Sequence, residues 1–431
     1  MTGDLLIRNA ALPDGRRGVD ILIRGGVIET VGPGLPEAAA PAVIDAAGDL
    51  VAPPFVDSHL HLDSTLSLGL PRLNRSGTLL EGIALWGELK PDLTVEAIHA
   101  RAKRLCTWSI TQGIGAIRSH VDICDDRLLA VEALTRLRAD MKPYLDIQLV
   151  AFPQDGFLRY PKSAENLARA LAMGVDVVGG IPHFERTMED GAESVRRLTR
   201  IAAEQGLRVD MHCDESDDPL SRHIETLAAE TVRHGLQGRV AGSHLTSLHS
   251  MDNYYASKLI PLIREAGIGA IANPLINITL QGRHDTYPKR RGMTRVKELS
   301  AAGVTVAFGH DCVMDPWYPM GSHDLLEVAS MGLHVGQMTG VEEIKTCFQA
   351  VTSAPAAILG LEGYGLHVGA EANLVLLQAA DPIEAIRLRA ERLYVIRRGA
   401  IIAQTPKRET LVTLGAAPKF IDFTQAGLNT L

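Results

Sequence analysis

Two histidines, His59 and His61, are separated by one residue at the end of an apolar run that begins at Leu50. Residues two apart on a β-strand point to the same side of the sheet, so both imidazoles can reach one metal ion. An H-x-H pair alone is a weak indication, because zinc sites in proteins usually have three or four protein ligands. Further donors are needed to identify a metal centre.

Three later apolar runs end in residues that can bind a metal. They are VDMHCDE with His212, AGSHLT with His244 and AFGHDC with Asp311. With the first pair, the sequence places five nitrogen or oxygen donors at the ends of four separate runs. This donor set is typical of zinc or ferrous iron, whereas calcium prefers oxygen ligands alone. We therefore predict a divalent metal, Zn²⁺ or Fe²⁺.

Glu215 follows His212 by three residues. A carboxylate just beyond a strand end can lean over a metal, accept a proton from bound water and pass it to a leaving group. The alternative is a solvated loop glutamate, the role assigned to the following Asp217 and Asp218. For Glu215 we favour acid–base catalysis, because it follows a candidate ligand so closely.

Other histidines at the ends of apolar runs are not needed as ligands. His310 precedes Asp311 and therefore points to the opposite side of its strand, which favours a place in the core or behind the ligands. His120 and His183 also lie at strand ends. We expect neither to bind the metal, because the donor set is complete without them.

Eight short apolar runs must position these donors. They begin at Leu50, Gly113, Leu145, Val175, Leu207, Arg239, Ile268 and Val304. Amphipathic segments lie between them, such as one with Thr94 as its N-cap and one that ends before Gly206. Eight strand–helix units predict an α/β protein with a closed (β/α)₈ barrel and an active site at the carboxyl ends of the strands. The competing topology is an open doubly wound sheet, but no G-x-G-x-x-G or P-loop motif follows the early strands.

Segments at both ends of the chain predict a second, smaller domain. Short alternating strands with glycine turns occupy about residues 5–48 and return after about residue 360. We expect residues 1–48 and 361–431 to form a small β-sandwich and residues 49–360 to form the barrel.

Composition narrows the classes of partner. The 431 residues are 46% hydrophobic and 22% charged, which indicates a folded globular protein. A net charge of −8 argues against nucleic acid or an anionic membrane as the main partner. Five cysteines without C-x-x-C spacing suit a reducing cytoplasm, and we find neither a signal-peptide pattern nor an apolar stretch of membrane-spanning length. We expect a cytoplasmic protein that binds a small molecule.

Several segments resemble the amidohydrolase superfamily, and more narrowly its bacterial cytosine deaminase-like members, over most of the chain. The resemblance is carried by PPFVDSHLHLDST, SGTLLEGI, RSHVDI, LVAFPQDG, VVGGIPHFE, HCDESDD, GSHLTSLHS, ANPLINITLQGRHDTYPKRRG and FGHDCVMDPWYPMG. The FPQ, DTYPKRRG and DPWYP segments are long enough to be specific for the subgroup. The resemblance implies a metal-dependent hydrolase of cyclic amidine C–N bonds that forms a homo-oligomer.

The resemblance also implies a role for each site residue. Four residues at strand ends are the implied metal ligands: His59, His61, His212 and Asp311. Glu215 is the implied proton shuttle, and His244 orients the attacking water. Gln154 hydrogen-bonds the amide edge of the substrate, and Trp317 walls the pocket. Some two-metal relatives bridge their metals with a lysine on the fourth barrel strand; VDVVGGIPHFE has none, which favours a single metal ion.

One position departs from the family pattern. The eighth strand of such enzymes typically ends in H-D-D, whereas here His310 and Asp311 are followed by Cys312. A thiol removes a charge and a strong acceptor and makes the wall more apolar. We therefore expect Cys312 to contact the substrate in a pocket that admits a ring with an extra apolar group, such as 5-methylcytosine. The alternative is that Cys312 is a small filler and cytosine is preferred.

The predicted function is hydrolytic deamination of cytosine or 5-methylcytosine to uracil or thymine by a metal-bound hydroxide, with release of ammonia. A second hypothesis keeps the site but changes the substrate to isocytosine, isoguanine, creatinine or an N-alkyl ammelide. A third is a non-catalytic assembly protein that keeps only the barrel. It predicts missing ligands, and none is missing from this sequence.

Overall fold

The structure, a computed structural model, describes residues 3–415 and 417–424. Residues 1, 2, 416 and 425–431 of the expected terminal domain lie outside this range. Five strands precede the barrel: β1 (Leu5–Ala10), β2 (Val19–Arg24), β3 (Val27–Gly32), β4 (Val43–Asp45) and β5 (Leu50–Ala52).

Eight parallel strands form the central sheet, in the order of the chain. They are β6 (Phe55–Leu60), β7 (Ile114–Asp122), β8 (Asp146–Phe152), β9 (Val177–Gly180), β10 (Arg208–His212), β11 (Val240–Ser243), β12 (Gly269–Ala272) and β13 (Val306–Phe308). The sheet curls so that its first and last strands meet just beyond their carboxyl ends. There His61 N–H donates to the Asp311 carbonyl at 3.0 Å, and Asp311 N–H donates to the His59 carbonyl at 2.8 Å. The predicted (β/α)₈ barrel is confirmed.

Helices connect and cover the strands. They are α1 (Leu79–Leu89), α2 (Val95–Thr111), α3 (Leu129–Met141), α4 (Ser163–Ala172), α5 (Met188–Gln205), α6 (His223–Arg233), α7 (Ser247–Ser250), α8 (Asn253–Glu265), α9 (Pro274–Leu280), α10 (Val296–Ala301), α11 (Leu325–Gly336), α12 (Val341–Gln349), α13 (Ser353–Leu359) and α14 (Pro382–Leu388). Short 3₁₀ turns span Glu37–Ala39, Lys90–Asp92 and Pro182–Phe184. Thr94 caps α2 and α5 ends before Gly206, as predicted, and Gly206 adopts the left-handed conformation. Within the described ranges, none of these helices is long and apolar enough to span a bilayer.

Segments from both ends of the chain form two facing sheets. The later strands are β14 (Leu374–Leu377), β15 (Arg392–Arg397), β16 (Ala400–Gln404) and the hairpin β17 (Thr410–Thr413) and β18 (Pro418–Ile421). One sheet has the order β3-β2-β1-β4 and the other β16-β15-β14-β5. Ile7 and Ile21 of the first share a buried core with Leu374 and Ile396 of the second, as expected of a small β-sandwich.

The apolar run that begins at Leu50 does not enter the barrel as one strand. Its first part, β5, pairs antiparallel with β14 in the terminal sheet, and the barrel begins at Phe55. Pro53 and Pro54 separate the two strands, because proline has no N–H to donate to a ladder. This run therefore joins the terminal sheets to the barrel.

Candidate active site

Five side chains from four strand ends converge inside the mouth of the barrel. His59 lies on β6 and His61 just beyond it, His212 ends β10, and His244 and Asp311 follow β11 and β13. All five are at most 9% exposed. The donor atoms of His59, His61 and His212 lie within 4.8 Å of one another, as do those of His59, His244 and Asp311. Ligands of one zinc ion are roughly 3–4 Å apart, so this cluster is compact enough to hold one.

The polar atoms of this cluster suit a divalent cation. Asp311 Oδ1 lies 3.5 Å from His59 Nε2 and 3.4 Å from His61 Nε2, and His61 Nε2 lies 3.4 Å from His212 Nε2. His59 Nε2 is buried without a hydrogen-bond partner in the described part of the chain. Neutral imidazoles around one carboxylate are a donor set typical of divalent transition metals. The arrangement therefore supports a divalent metal site.

Burial prepares the imidazoles for metal binding. It lowers the pKa of His59 and of His212 well below the usual value of a histidine, and the neighbouring imidazoles add to this effect. Burial also lowers the pKa of His61 to about 3. The rings are therefore neutral at physiological pH, the form in which histidine binds metals.

Glu215 and His244 lie beside the donor cluster. Glu215 Oε1 is 3.7 Å from His244 Nδ1, and burial raises the pKa of the Glu215 carboxyl to about 8. Such a carboxyl can take up and release a proton near neutral pH. Asn277 donates its Nδ2–H to His244 Nδ1 at 2.9 Å, so the ring proton lies on Nε2, which is 3.7 Å from Asp311 Oδ2. The pair can move a proton and donate a hydrogen bond at the cluster.

Two of the clustered residues have an unusual backbone. His244 has φ of 69° and Asp311 has φ of 71°, in the left-handed region that residues other than glycine rarely adopt. Strained backbone of this kind is concentrated at functional sites. Nothing in the sequence around either residue indicates this conformation.

A cavity opens above the donor cluster. Its volume is about 570 Å³ with its mouth included. Of the nine site residues predicted from the sequence, all except His59 line it; His59 is buried beneath the lining. Gln154, two residues beyond the end of β8, and Trp317, in the loop after β13, thus reach the same space as Glu215. The structure brings the whole predicted set together.

His183 also lines the cavity, a position that its place at a strand end did not indicate. That it does not bind the metal stays a prediction. Its Nδ1 lies 3.1 Å from the carbonyl oxygen of His212, which fixes the ring beside a candidate ligand. His120, by contrast, lies outside the cavity lining, with its ring 4.1 Å from that of His59. His310 is fully buried, and its Nδ1 lies 2.9 Å from the carbonyl oxygen of Cys312.

Apolar residues complete the lining. Leu79, Leu80 and Ile83 project from α1, and Ile276 and Leu280 from α9. Sequence reasoning named none of them, because apolar residues at helical spacing look like ordinary core positions. The SGTLLEGI segment, which carries part of the family resemblance, is the pattern that could have identified α1 as part of the site.

Cys312 lies within this apolar wall. It is 4% exposed and packs with Ile276 and Leu280, and Leu79 and Trp317 pack against the same cluster. Burial and the nearby carboxylates raise the pKa of its thiol well above the usual value. Cys312 is therefore an uncharged thiol that presents a weakly polar surface to the cavity.

The chain is similar to several known proteins. The crystal structure of 5-methylcytosine deaminase from Klebsiella pneumoniae with 5-fluorocytosine superposes with a TM-score of 0.91 and 42% identity, over 94% of this chain and 98% of that one. Pterin deaminase from Rhizobium rhizogenes is 29% identical over 94% of this chain and 92% of its own length. N-isopropylammelide isopropyl amidohydrolase from Pseudomonas sp. (strain ADP) is 29% identical over 93% and 97%.

These relatives, two deaminases and an amidohydrolase, support a hydrolase that acts on C–N bonds of a heterocycle. The model of the Amidohydrolase family matches residues 42–412, which include every barrel strand, β4 of the first terminal sheet and all four strands of the second. Because that match covers most of the sequence, the chain belongs to the amidohydrolase family.

Proposed function

We propose that this enzyme deaminates a free pyrimidine base, 5-methylcytosine in preference to cytosine, with thymine or uracil and ammonia as products. The observation that carries the proposal is the place of Cys312, an uncharged side chain in an apolar wall beside the donor cluster. A methyl group at the 5-position of the ring is stabilised by contact with such an apolar wall. A carboxylate side chain at position 312 would instead lose its hydration when the methyl group covered it. The 42% identity to the Klebsiella pneumoniae 5-methylcytosine deaminase supports the same substrate.

Four residues of the cluster are the proposed ligands of one Zn²⁺ or Fe²⁺: His59, His61, His212 and Asp311. A divalent cation held there supplies Lewis acidity, which lowers the pKa of water and stabilises developing negative charge on oxygen. The protein keeps the ligand rings neutral through burial, as described above.

The remaining polar residues bind the base and move protons. The side-chain amide of Gln154 offers both a donor and an acceptor to the amide edge of the pyrimidine. Glu215 takes a proton from the water that adds to C4 and gives it to ring N3. The remaining proton of the resulting C4 hydroxyl then passes to the exocyclic amine, and the C4–N bond breaks to release ammonia and leave a carbonyl at C4. His244 donates its Nε2–H to the oxygen on which negative charge develops.

A different heterocycle is the competing proposal. The apolar residues Leu79, Leu80 and Ile83 on α1 offer contact to an N-alkyl group, as on the substrate named for the Pseudomonas relative. A non-catalytic assembly protein has no need of the converging donors and the buried Glu215, which argue against that alternative.

The test is a substrate screen with purified, metal-loaded protein. The panel contains cytosine, 5-methylcytosine, isocytosine, isoguanine, creatinine, a pterin and N-isopropylammelide, and ring products are separated by chromatography, because an N-alkyl substrate releases an amine and not ammonia. We expect the highest kcat/KM for 5-methylcytosine. Turnover of any other member of the panel without turnover of 5-methylcytosine or cytosine contradicts the proposal.

A further inference from the structure

Helix α1 lies against the indole of Trp317 with a glycine at the point of contact. A Cβ placed on Gly82 would lie 2.4 Å from Trp317 Cδ1 and 2.6 Å from its Nε1. Carbon atoms in contact are about 3.5–4.0 Å apart. Any side chain at position 82 therefore requires α1 and Trp317 to separate by about 1 Å.

The structure holds Trp317 in this position. The backbone N–H groups of Trp317 and Tyr318 both donate to Asp315 Oδ1 at 2.9 Å, and Asp315 is buried. The indole also packs against the apolar cluster that contains Cys312. Trp86, on the same helix as Gly82, lies 6.2 Å from the indole between ring centroids. The ring is thus enclosed by protein on several sides, and its open side is the cavity that it lines.

Displacement of α1 would change the cavity itself. Leu79 and Ile83 flank Gly82 on this helix, and both line the cavity together with Trp317. Glycine is unfavourable inside a helix compared with alanine, so its presence at a buried helical position calls for a packing reason, and contact with the indole supplies one.

We infer that Gly82 is a specificity-determining position, where the absence of a side chain lets α1 close onto Trp317 and sets the width of the apolar side of the cavity. The inference rests on the proposed substrate-binding role of Trp317 and Cys312. Gly82 does not itself contact the substrate; it acts through the position of Trp317, Leu79 and Ile83.

The chain offers a matched control on the same helix. Gly87 is exposed, and a Cβ there would meet no atom within 4 Å. G82A and G87A bring the same gain in helix propensity, but only G82A brings the clash with Trp317. Each substitution is made in the wild-type protein and in W317A, where the indole is absent. Tm and the kinetic constants for 5-methylcytosine and cytosine are measured for all variants.

We expect G82A to raise the KM for 5-methylcytosine at least tenfold with a smaller effect on kcat. We also expect it to lower Tm by about 3 °C or more relative to G87A. In the W317A background, G82A should change KM by less than twofold and should no longer lower Tm. The inference is overturned if G82A has the same Tm and KM as G87A. It is also overturned if G82A lowers Tm only when Trp317 is present but leaves KM unchanged.

Failure of the proposed function gives a different result. If the wild-type protein deaminates neither 5-methylcytosine nor cytosine, the proposed substrate is wrong, but the coupling of Gly82 to Trp317 is still measured by Tm. The KM for whichever heterocycle the screen identifies then tests the same inference. Unchanged KM for that heterocycle in G82A overturns it.

Discussion

Ser243 Oγ lies 2.9 Å from His59 Nδ1, the ring nitrogen that does not face Asp311. Ser243 donates its hydroxyl proton to Asp210 Oδ1 at 2.6 Å, and Arg118 donates Nη1–H to Asp210 Oδ2 at 2.8 Å. Because the hydroxyl proton is directed at the carboxylate, Ser243 Oγ accepts from His59 Nδ1–H. This chain of hydrogen bonds leaves Nε2 unprotonated and directed at the donor cluster.

The first prediction concerns metal affinity. S243A removes the acceptor for His59 Nδ1–H, and we expect the affinity for Zn²⁺ to fall by about 10- to 100-fold, as when other partners of metal-binding histidines are removed. Affinity is measured by competition with a chelator. S247A is the control, because Ser247 Oγ is equally buried but has no hydrogen-bond partner among the described residues. Equal affinities in the two variants would contradict a positioning role for Ser243.

The second prediction tests proton transfer by Glu215. E215Q keeps the shape of the side chain but cannot carry a proton, so we expect kcat to fall by about 10²- to 10⁴-fold. Metal content, measured by mass spectrometry, should remain near that of the wild type. D218N, at an exposed position in the same loop, should retain full activity. An E215Q protein with unchanged kcat refutes the proposed acid–base role.

The third prediction concerns Cys312 and substrate choice. C312D introduces a carboxylate into an apolar wall, and we expect the ratio of kcat/KM for 5-methylcytosine to that for cytosine to fall at least about tenfold. C312A, which removes the thiol without adding charge, should keep the preference for the methylated base. An unchanged ratio in C312D would show that Cys312 is only a small filler.

The barrel and its donors were predictable for a geometric reason. Parallel strands of a barrel place their carboxyl ends at one mouth, so residues that end separate apolar runs must meet there, whatever lies between them. His59, His212 and Asp311 are far apart in sequence, but each lies at the carboxyl end of a barrel strand, and this position was sufficient to predict that they meet. The terminal strands were also predictable, because period-two alternation with glycine turns is a local pattern that can be recognised without knowing which distant strands pair.

Other features depend on contacts that no local pattern records. The pairing of β5 with β14 joins residues more than three hundred positions apart, and the packing of α1 against Trp317 depends on loop lengths and on the absent side chain of Gly82. His183 reaches the cavity because the 3₁₀ turn after β9 directs it there. Such contacts arise from tertiary packing and not from periodicity.

The last prediction concerns stability and pH. His223 Nδ1 lies 2.8 Å from Asp214 Oδ1, and its Nε2 lies 3.1 Å from the Met188 carbonyl. Burial disfavours the charged ring, but the hydrogen bond and charge of Asp214 outweigh it and raise the pKa of His223 above 6.5. Because the pKa of His223 is raised in the folded protein, its protonated ring stabilises the fold. This contribution is fully present below the pKa of a histidine in the unfolded chain, about 6.5, and is lost as pH rises through the pKa of His223 in the folded protein.

H223Q should therefore destabilise the protein most at low pH. We expect a loss of about 1.5–3 kcal/mol at pH 6, the usual range for a hydrogen bond to a charged group, and a smaller loss at higher pH, because the wild-type ring gives up its proton as pH rises. Thermal unfolding from pH 6 to 9 measures the difference in Tm between the two proteins. The Tm difference between D214N and the wild type should depend on pH in the same way. Adding H223Q to D214N should introduce no further pH dependence, because the charged partner of His223 is already absent. A Tm difference that stays constant or grows with pH would show that His223 acts through packing and not through its charge.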